Sequence, residues 1–224
     1  VKKSDHLVVD SPGIQEYYRK QYAVESTYIP YGTELATKFF IESLKKYELL
    51  SGKYHLLIAR LEPENNIEMI IKGYLNSKRT YPLVIIGSCE TGFAQYLRSE
   101  YKSRDIRFLG SIYDKKQLDS LRYYCHLYFH GHSIGGTNPS LLEAMSAGSM
   151  IAAHNNEFNR YVTGDGAVYF QTHREVSQIL DQPFSNDVRH RYRFMNEQRI
   201  LSEYQWDKIT NEYEDLFFKV LDEV

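Results

Sequence analysis

The sequence has 224 residues, 42% of them hydrophobic, which is enough for one large domain with a sizeable core and lies outside disordered compositions. Its 27 basic and 29 acidic residues nearly balance, which argues against a general nucleic-acid binder. No apolar run approaches the roughly 20 residues of a spanning helix, and Cys89 and Cys125 form no CxxC pair, so a cytoplasmic chain with free thiols is expected.

The first elements in chain order are a strand over residues 6–9 and a helix over 12–22. Ser11 and Pro12 supply the N-cap and first position of that helix. A short extended piece follows at 27–30, ending near Gly32. Residues 35–53 are polar and are expected to be linker-like or irregularly helical. From His55 the pattern becomes regular. Strands are predicted at 55–59, 83–87, 106–110, 126–129, 150–153 and 167–170, with helices at 67–75, 92–101, 115–124 and 140–147. The stretch 184–221 is charged, aromatic and helical, with apolar positions such as Ile200, Trp206, Ile209, Tyr213, Leu216 and Phe217. Short apolar strands alternating with helices indicate an α/β fold. Its parallel, doubly wound, Rossmann-like sheet should bind its ligand at the carboxyl ends of the strands.

The most informative stretch follows the fourth strand of this regular part. There His130 and His132 lead into Gly135, Gly136, Thr137, Asn138 and Pro139, and a helix begins. Adjacent glycines permit positive φ and close approach of a ligand, while Asn138 and Pro139 suit the N-cap and first helical position. Free amides at the positive end of that helix make an anion site fit for phosphate. Glu143, about one turn in, is placed to accept hydrogen bonds from ribose hydroxyls. Spacing alone leaves an equally good reading, a plain glycine-rich loop with Glu143 idle. Neither the G-x-G-x-x-G fingerprint nor a Walker lysine motif is present.

Other candidates lie where strands end. Arg60 is suited to bidentate phosphate contact. Ser88 and Cys89 follow Gly87 at the mouth of the crevice, and His154 and Glu157 follow the fifth strand, where they could face the crevice rim. No metal-ligand cluster is visible, so neither a divalent ion nor another cofactor is expected.

At this point the residues resemble a known family. The run from Gly135 through Leu141, Leu142, Glu143, Ala144 and Met145 to Gly148 is similar to the signature helix of retaining glycosyltransferase family 4 enzymes of the GT-B fold. Ala59, Arg60, Leu61, Glu62, Pro63 and Glu64 resemble their Gly-Arg-Leu-x-x-Glu-Lys segment. Arg107 to Ile112 resembles the segment whose backbone edges the nucleobase. The variants look most like a bacterial branch of rhamnosyltransferases.

The resemblance implies a donor site for a nucleoside-diphosphate sugar, with dTDP-rhamnose the expected donor. That site would be built from Arg60, Asn66, Gly87, Ser88, Leu109, Ile112, His132, Gly135, Gly136, Thr137, Asn138, Pro139 and Glu143. It also implies transfer to a saccharide or lipid-linked saccharide acceptor in polysaccharide synthesis, and peripheral membrane association of the full-length protein. Residues 1–34 would be the remnant of an acceptor domain and its linker, 35–183 the donor domain, and 184–224 helices packing back on the acceptor side. Two departures stand out. Gly135 replaces the first glutamate of the family's Glu-x7-Glu pair, and Asn65 or Asn66 replaces its phosphate lysine, leaving Arg60 as the main side-chain cation. A chain of this extent is expected to bind nucleotide but transfer sugar poorly by itself, and the alternative is a non-catalytic nucleotide-binding or scaffolding module.

Overall fold

Residues 6–78 and 80–222 are described by the structure, a computed structural model. Its first elements form a unit of their own. Strand β1 (Val8–Val9) pairs in parallel with β2 (Thr27–Tyr28) across helix α1 (Pro12–Tyr22). Ser11, in extended conformation, accepts a hydrogen bond from the Ile14 amide at 3.2 Å and so fixes the start of α1. Ala23 ends it in the left-handed region, at φ 50°.

Residues 35–53 follow the irregularly helical of the two expectations rather than the linker-like one. They hold a 3-10 helix, Ile41–Tyr47, whose Leu44 is buried together with Leu49 and Tyr54 in one apolar cluster. Two leucines among charged neighbours gave too weak a period to read, yet they anchor the segment beside helix α4 (Lys115–Tyr124).

The main sheet has six parallel strands. In chain order these are β3 (His55–Ile58), β4 (Leu83–Ile86), β5 (Ile106–Gly110), β6 (Leu127–His130), β7 (Ile151–His154) and β8 (Ala167–Phe170). Their order in space is β5-β4-β3-β6-β7-β8, with every neighbour parallel. Helices α2 (Ile67–Asn76), α3 (Gly92–Glu100), α4, α5 (Pro139–Ser146), α6 (Glu157–Thr163) and α7 (His173–Asp181) link and cover the strands. Both faces are therefore dry, which explains the unbroken apolar runs. Leu56, Val84, Tyr128 and Ile151 face one cluster, and Leu57, Ile85, Phe129 and Ala152 face the other. Each fully buried leucine or isoleucine contributes about 1.5–3 kcal/mol.

Helices α6 and α7 escaped the periodicity reading, but their caps are written in the sequence. Asn156 accepts from the Asn159 amide, and Thr172 with Glu175 makes a capping box. The C-terminal stretch divides into α8 (Asn186–Glu203), which packs on α5 and buries Ile200, and α9 (Trp206–Asp222). Ile209 and Leu216 of α9 cover Ile29 beside the β1–β2 unit. Among the described residues no helix is long and apolar enough to cross a membrane.

Candidate functional site

The chain leaves β3 towards β4 and β5, and leaves β6 towards β7 and β8 on the other side. Strands β3 and β6 are neighbours, so the loops at their carboxyl ends part company there and open a crevice at the topological switch point. Arg60 lies just beyond β3. The Gly135–Gly136 turn and the amino end of α5 lie beyond β6.

The loop after β3 is braced from within. The Asn65 side-chain amide donates to the Arg60 carbonyl at 2.8 Å, and the Asn66 side-chain amide donates across the crevice floor to the Gly131 carbonyl at 2.8 Å. Asn66, expected at the diphosphate, thus ties two loops together. Gly131 is required by this closeness, since a Cβ there would fall 2.1 Å from the Asn65 carbonyl oxygen. Gly87 is required in the same way by the Ala59 carbonyl oxygen, also 2.1 Å from a would-be Cβ. Beside it Ser88 accepts from the Glu90 amide at 3.4 Å, and the Cys89 thiol lies 3.7 Å from the Gly87 carbonyl oxygen. The Arg60 side chain is exposed, and its guanidinium makes no hydrogen bond or ion pair among the described residues.

Leu109 and Ile112 are half-buried against the core near the end of β5, around Gly110 at φ 75°. They lie at the carboxyl end of β5, in the segment where the resemblance expects a base.

The loop after β6 is built differently. Gly135 sits at φ 133° with nothing within 4 Å of a would-be Cβ, and Ile134 beside it is 74% exposed. Asn138 caps α5 by accepting from the Ser140 amide at 3.0 Å, with Pro139 at the first position. Thr137 is buried, and both its amide and its hydroxyl donate to the Asp10 carbonyl. The side chain of Asp10 lies against Gly136, and a Cβ there would be 1.8 Å from Asp10 Oδ1. Nothing in the sequence beyond a helix start pointed to Asp10; only the return of β1 to this turn reveals it.

Glu143, one turn into α5, is held from behind. The guanidinium of Arg122 on α4, 1% exposed, donates to Glu143 Oε2 and lies 3.4 Å from Asp119 Oδ1. Lys115 in turn donates to Asp119 at 2.6 Å. Oε1 of Glu143 has no hydrogen-bond partner among the described residues, and the side chain remains 35% exposed. One oxygen is anchored and the other is open to a ligand. A lone arginine inside the fourth helix gave no sequence signal of this role.

Two histidines form the floor. His130 and His132 stack with ring centres 4.4 Å apart, and His130 is buried with both ring nitrogens unpartnered among the described residues. Burial, reinforced by His132 and His154, holds the His130 imidazole well below its ordinary pKa. Burial and then the nearby Arg60 bring His132 down to about 4, so both rings are neutral at neutral pH. His154 and Asn156 pair at 3.2 Å beside them. Glu157, expected at the rim, instead lies against Gly13 at the start of α1. Among the described residues no three His, Cys, Asp or Glu side chains gather as a metal-binding group.

The profile of the family described as glycosyl transferases group 1 matches residues 41–194, well over half the chain. The chain belongs to this family. Among curated relatives of this group 1 chain, an uncharacterised glycosyltransferase of Methanocaldococcus jannaschii is 24% identical over 241 aligned residues, covering 98% of this chain and 60% of the relative. Among solved structures, a sucrose-phosphate synthase from Thermosynechococcus elongatus aligns with TM-score 0.83 at 16% identity, over 99% of this chain and 59% of that one. Anabaena HepE, solved with UDP and glucose, aligns with TM-score 0.84 at 13% identity, over 96% and 64%. The group 1 chain thus spans about three fifths of the length of these relatives. Its parallel sheet has the Rossmann-like arrangement of GT-B glycosyltransferases.

Proposed function

We propose that this chain is the donor-binding part of a glycosyltransferase and that its crevice takes a nucleoside-diphosphate sugar. The single observation that carries this reading is the meeting, at one switch point, of an unpaired arginine, an open glycine turn at a helix amino end, and a half-anchored glutamate. Arg60 and the amides leading into α5 would take the diphosphate. The open Oε1 of Glu143 would accept from ribose hydroxyls. The base would lie beside Leu109 and Ile112. During transfer, negative charge grows on the departing diphosphate, and donors already aimed at it stabilise that charge without reorganising.

The motifs shared with retaining family 4 enzymes support retention of anomeric configuration, dTDP-rhamnose as donor, and a saccharide or lipid-linked acceptor in polysaccharide synthesis. The acceptor would bind outside residues 35–183, in the cytoplasm or at a membrane surface, and the donor would need no metal. The UDP complex of HepE makes UDP-sugars the competing donor class.

Titration calorimetry with UDP, UDP-glucose, dTDP and dTDP-rhamnose tests this. Saturable binding of at least one pair is expected, weakened by Glu143→Ala; a Glu143→Ala variant with undiminished affinity would remove the ribose role. A second reading, a nucleotide-binding module without transfer, is favoured by Gly135, which brings no carboxylate to the turn. Transfer by the full-length protein would exclude it.

A further inference from the structure

The glycine turn has no acid of its own, but an acid reaches it from elsewhere in the chain. Asp10 closes β1, and its backbone carbonyl receives both the amide and the hydroxyl of Thr137, which fixes the loop after β6 against the end of β1. With its main chain clamped there, the Asp10 carboxylate rests on Gly136. A Cβ on Gly136 would lie 1.8 Å from Oδ1 and 2.5 Å from Oδ2, so any larger residue at 136 would displace the acid. Glycine at 136 therefore makes room for a side chain, whereas glycine at 135 serves an unusual φ of 133° in open space.

The carboxylate has no cation or hydrogen-bond donor from another residue among the described residues. It also lines a hollow of about 380 Å³ whose other lining residues are apolar or aromatic, Tyr18, Tyr31, Tyr213 and Trp206 among them. Burial raises its pKa, partly offset by its own backbone amide. Glu157 of α6 lies against Gly13, at the start of α1. A half-buried, unpaired carboxylate is unfavourable in the free protein. Beside amides that would hold a diphosphate it cannot serve the phosphates, which carry the same sign. The groups it suits are hydroxyl donors and a carbon gaining positive charge, and a sugar linked to that diphosphate brings both.

We propose that Asp10 is the sugar-contacting carboxylate of the donor site, delivered to the glycine turn by β1 and accepting hydrogen bonds from hydroxyls of the transferred sugar. This rests on the nucleotide-sugar reading above and adds a residue outside the segment that resembles the donor motifs. It also gives the β1–β2 unit a chemical duty.

The experiment is calorimetry of the whole chain, comparing UDP with UDP-glucose and dTDP with dTDP-rhamnose, in wild type, Asp10→Asn and Gly136→Ala. Wild type should bind one sugar-linked form more tightly than the bare diphosphate. Asp10→Asn should weaken that form by at least about tenfold, as expected for a lost charge-assisted hydrogen bond. It should leave the bare diphosphate bound at least as tightly as in wild type, because the substitution removes a like charge beside the phosphates. Gly136→Ala should lose the sugar increment as well, because its methyl displaces the acid.

Thermal melting of the free protein separates this role from a structural one. An acid whose folded pKa is raised contributes stability below the ordinary carboxylate range and loses it as pH rises through the folded value. Asp10→Asn should therefore melt higher than wild type at pH 7 and lose that advantage near pH 3. An unchanged sugar increment in Asp10→Asn, or a lower melting temperature at pH 7 with both affinities reduced together, would overturn the proposal. Failure of wild type to bind any of the four nucleotides would instead overturn the donor-site reading itself.

Discussion

Two loops leave the carboxyl edge of the sheet at the switch point, and they handle their polar groups in opposite ways. After β3, side chains are turned inward. Asn65 and Asn66 satisfy the carbonyls of Arg60 and Gly131, and the Glu64 carbonyl accepts both the amide and the hydroxyl of Ser133. After β6, the turn is open at Gly135, where nothing lies within 4 Å of a would-be Cβ, while Gly136 and Thr137 are held by Asp10. Both loops carry asparagine before a helix, yet Asn138 caps α5 with its side chain while Asn66 makes no such cap on α2. One loop is a frame and the other is a cradle. The frame should govern stability and the cradle affinity.

Four expected outcomes can break or sharpen that division. The largest effect is expected where the frame meets the first residue after β6: Gly131→Ala would drive a methyl into the Asn65 carbonyl and should destabilise by about 3 kcal/mol in chemical denaturation, at the upper end for overpacking. Next, Arg60→Ala should weaken nucleoside-diphosphate binding by at least about tenfold in calorimetry, with a melting temperature close to wild type, because its exposed guanidinium holds no partner among the described residues. Asn66→Ala removes the donor for the Gly131 carbonyl and should cost about 1 kcal/mol in denaturation; an effect on affinity larger than that on stability would move Asn66 from frame to cradle. The smallest effect concerns metal: donor affinity measured before and after EDTA treatment should agree within error, and a marked loss would assign a cation to the diphosphate.

Much of this was legible in the sequence, for identifiable reasons. The buried strands stand out because both faces of a parallel sheet are covered, and helices with a cap and a proline announce their first residue, as at Ser11–Pro12 and Asn138–Pro139. The 3-10 helix at Ile41–Tyr47 did not stand out, because only Leu44 within it is buried and one residue sets no period. The site divides in the same way. Arg60 and Glu143 sit at fixed distances from strand ends and could be placed by counting. Arg122 and Asp10 could not, because each acts on a residue far along the chain, from α4 onto Glu143 and from β1 onto Gly136. Asn66 shows the reverse, a residue whose place in a motif suggested a ligand contact and whose side chain is engaged by a backbone carbonyl.

The distinction matters because other parts of the surface also invite anions. A hollow of about 630 Å³ on the opposite, amino edge of the sheet is lined by Arg189, His190 and Arg193 of α8, with Arg193 stacked on Tyr123. The most direct measurement is therefore an amide chemical-shift map of the chain on addition of UDP and, separately, dTDP. The largest shifts are expected at Gly135, Gly136 and the first residues of α5, with Arg60 next. Largest shifts at the α8 face, with the glycine turn unmoved, would contradict the placement of the donor site.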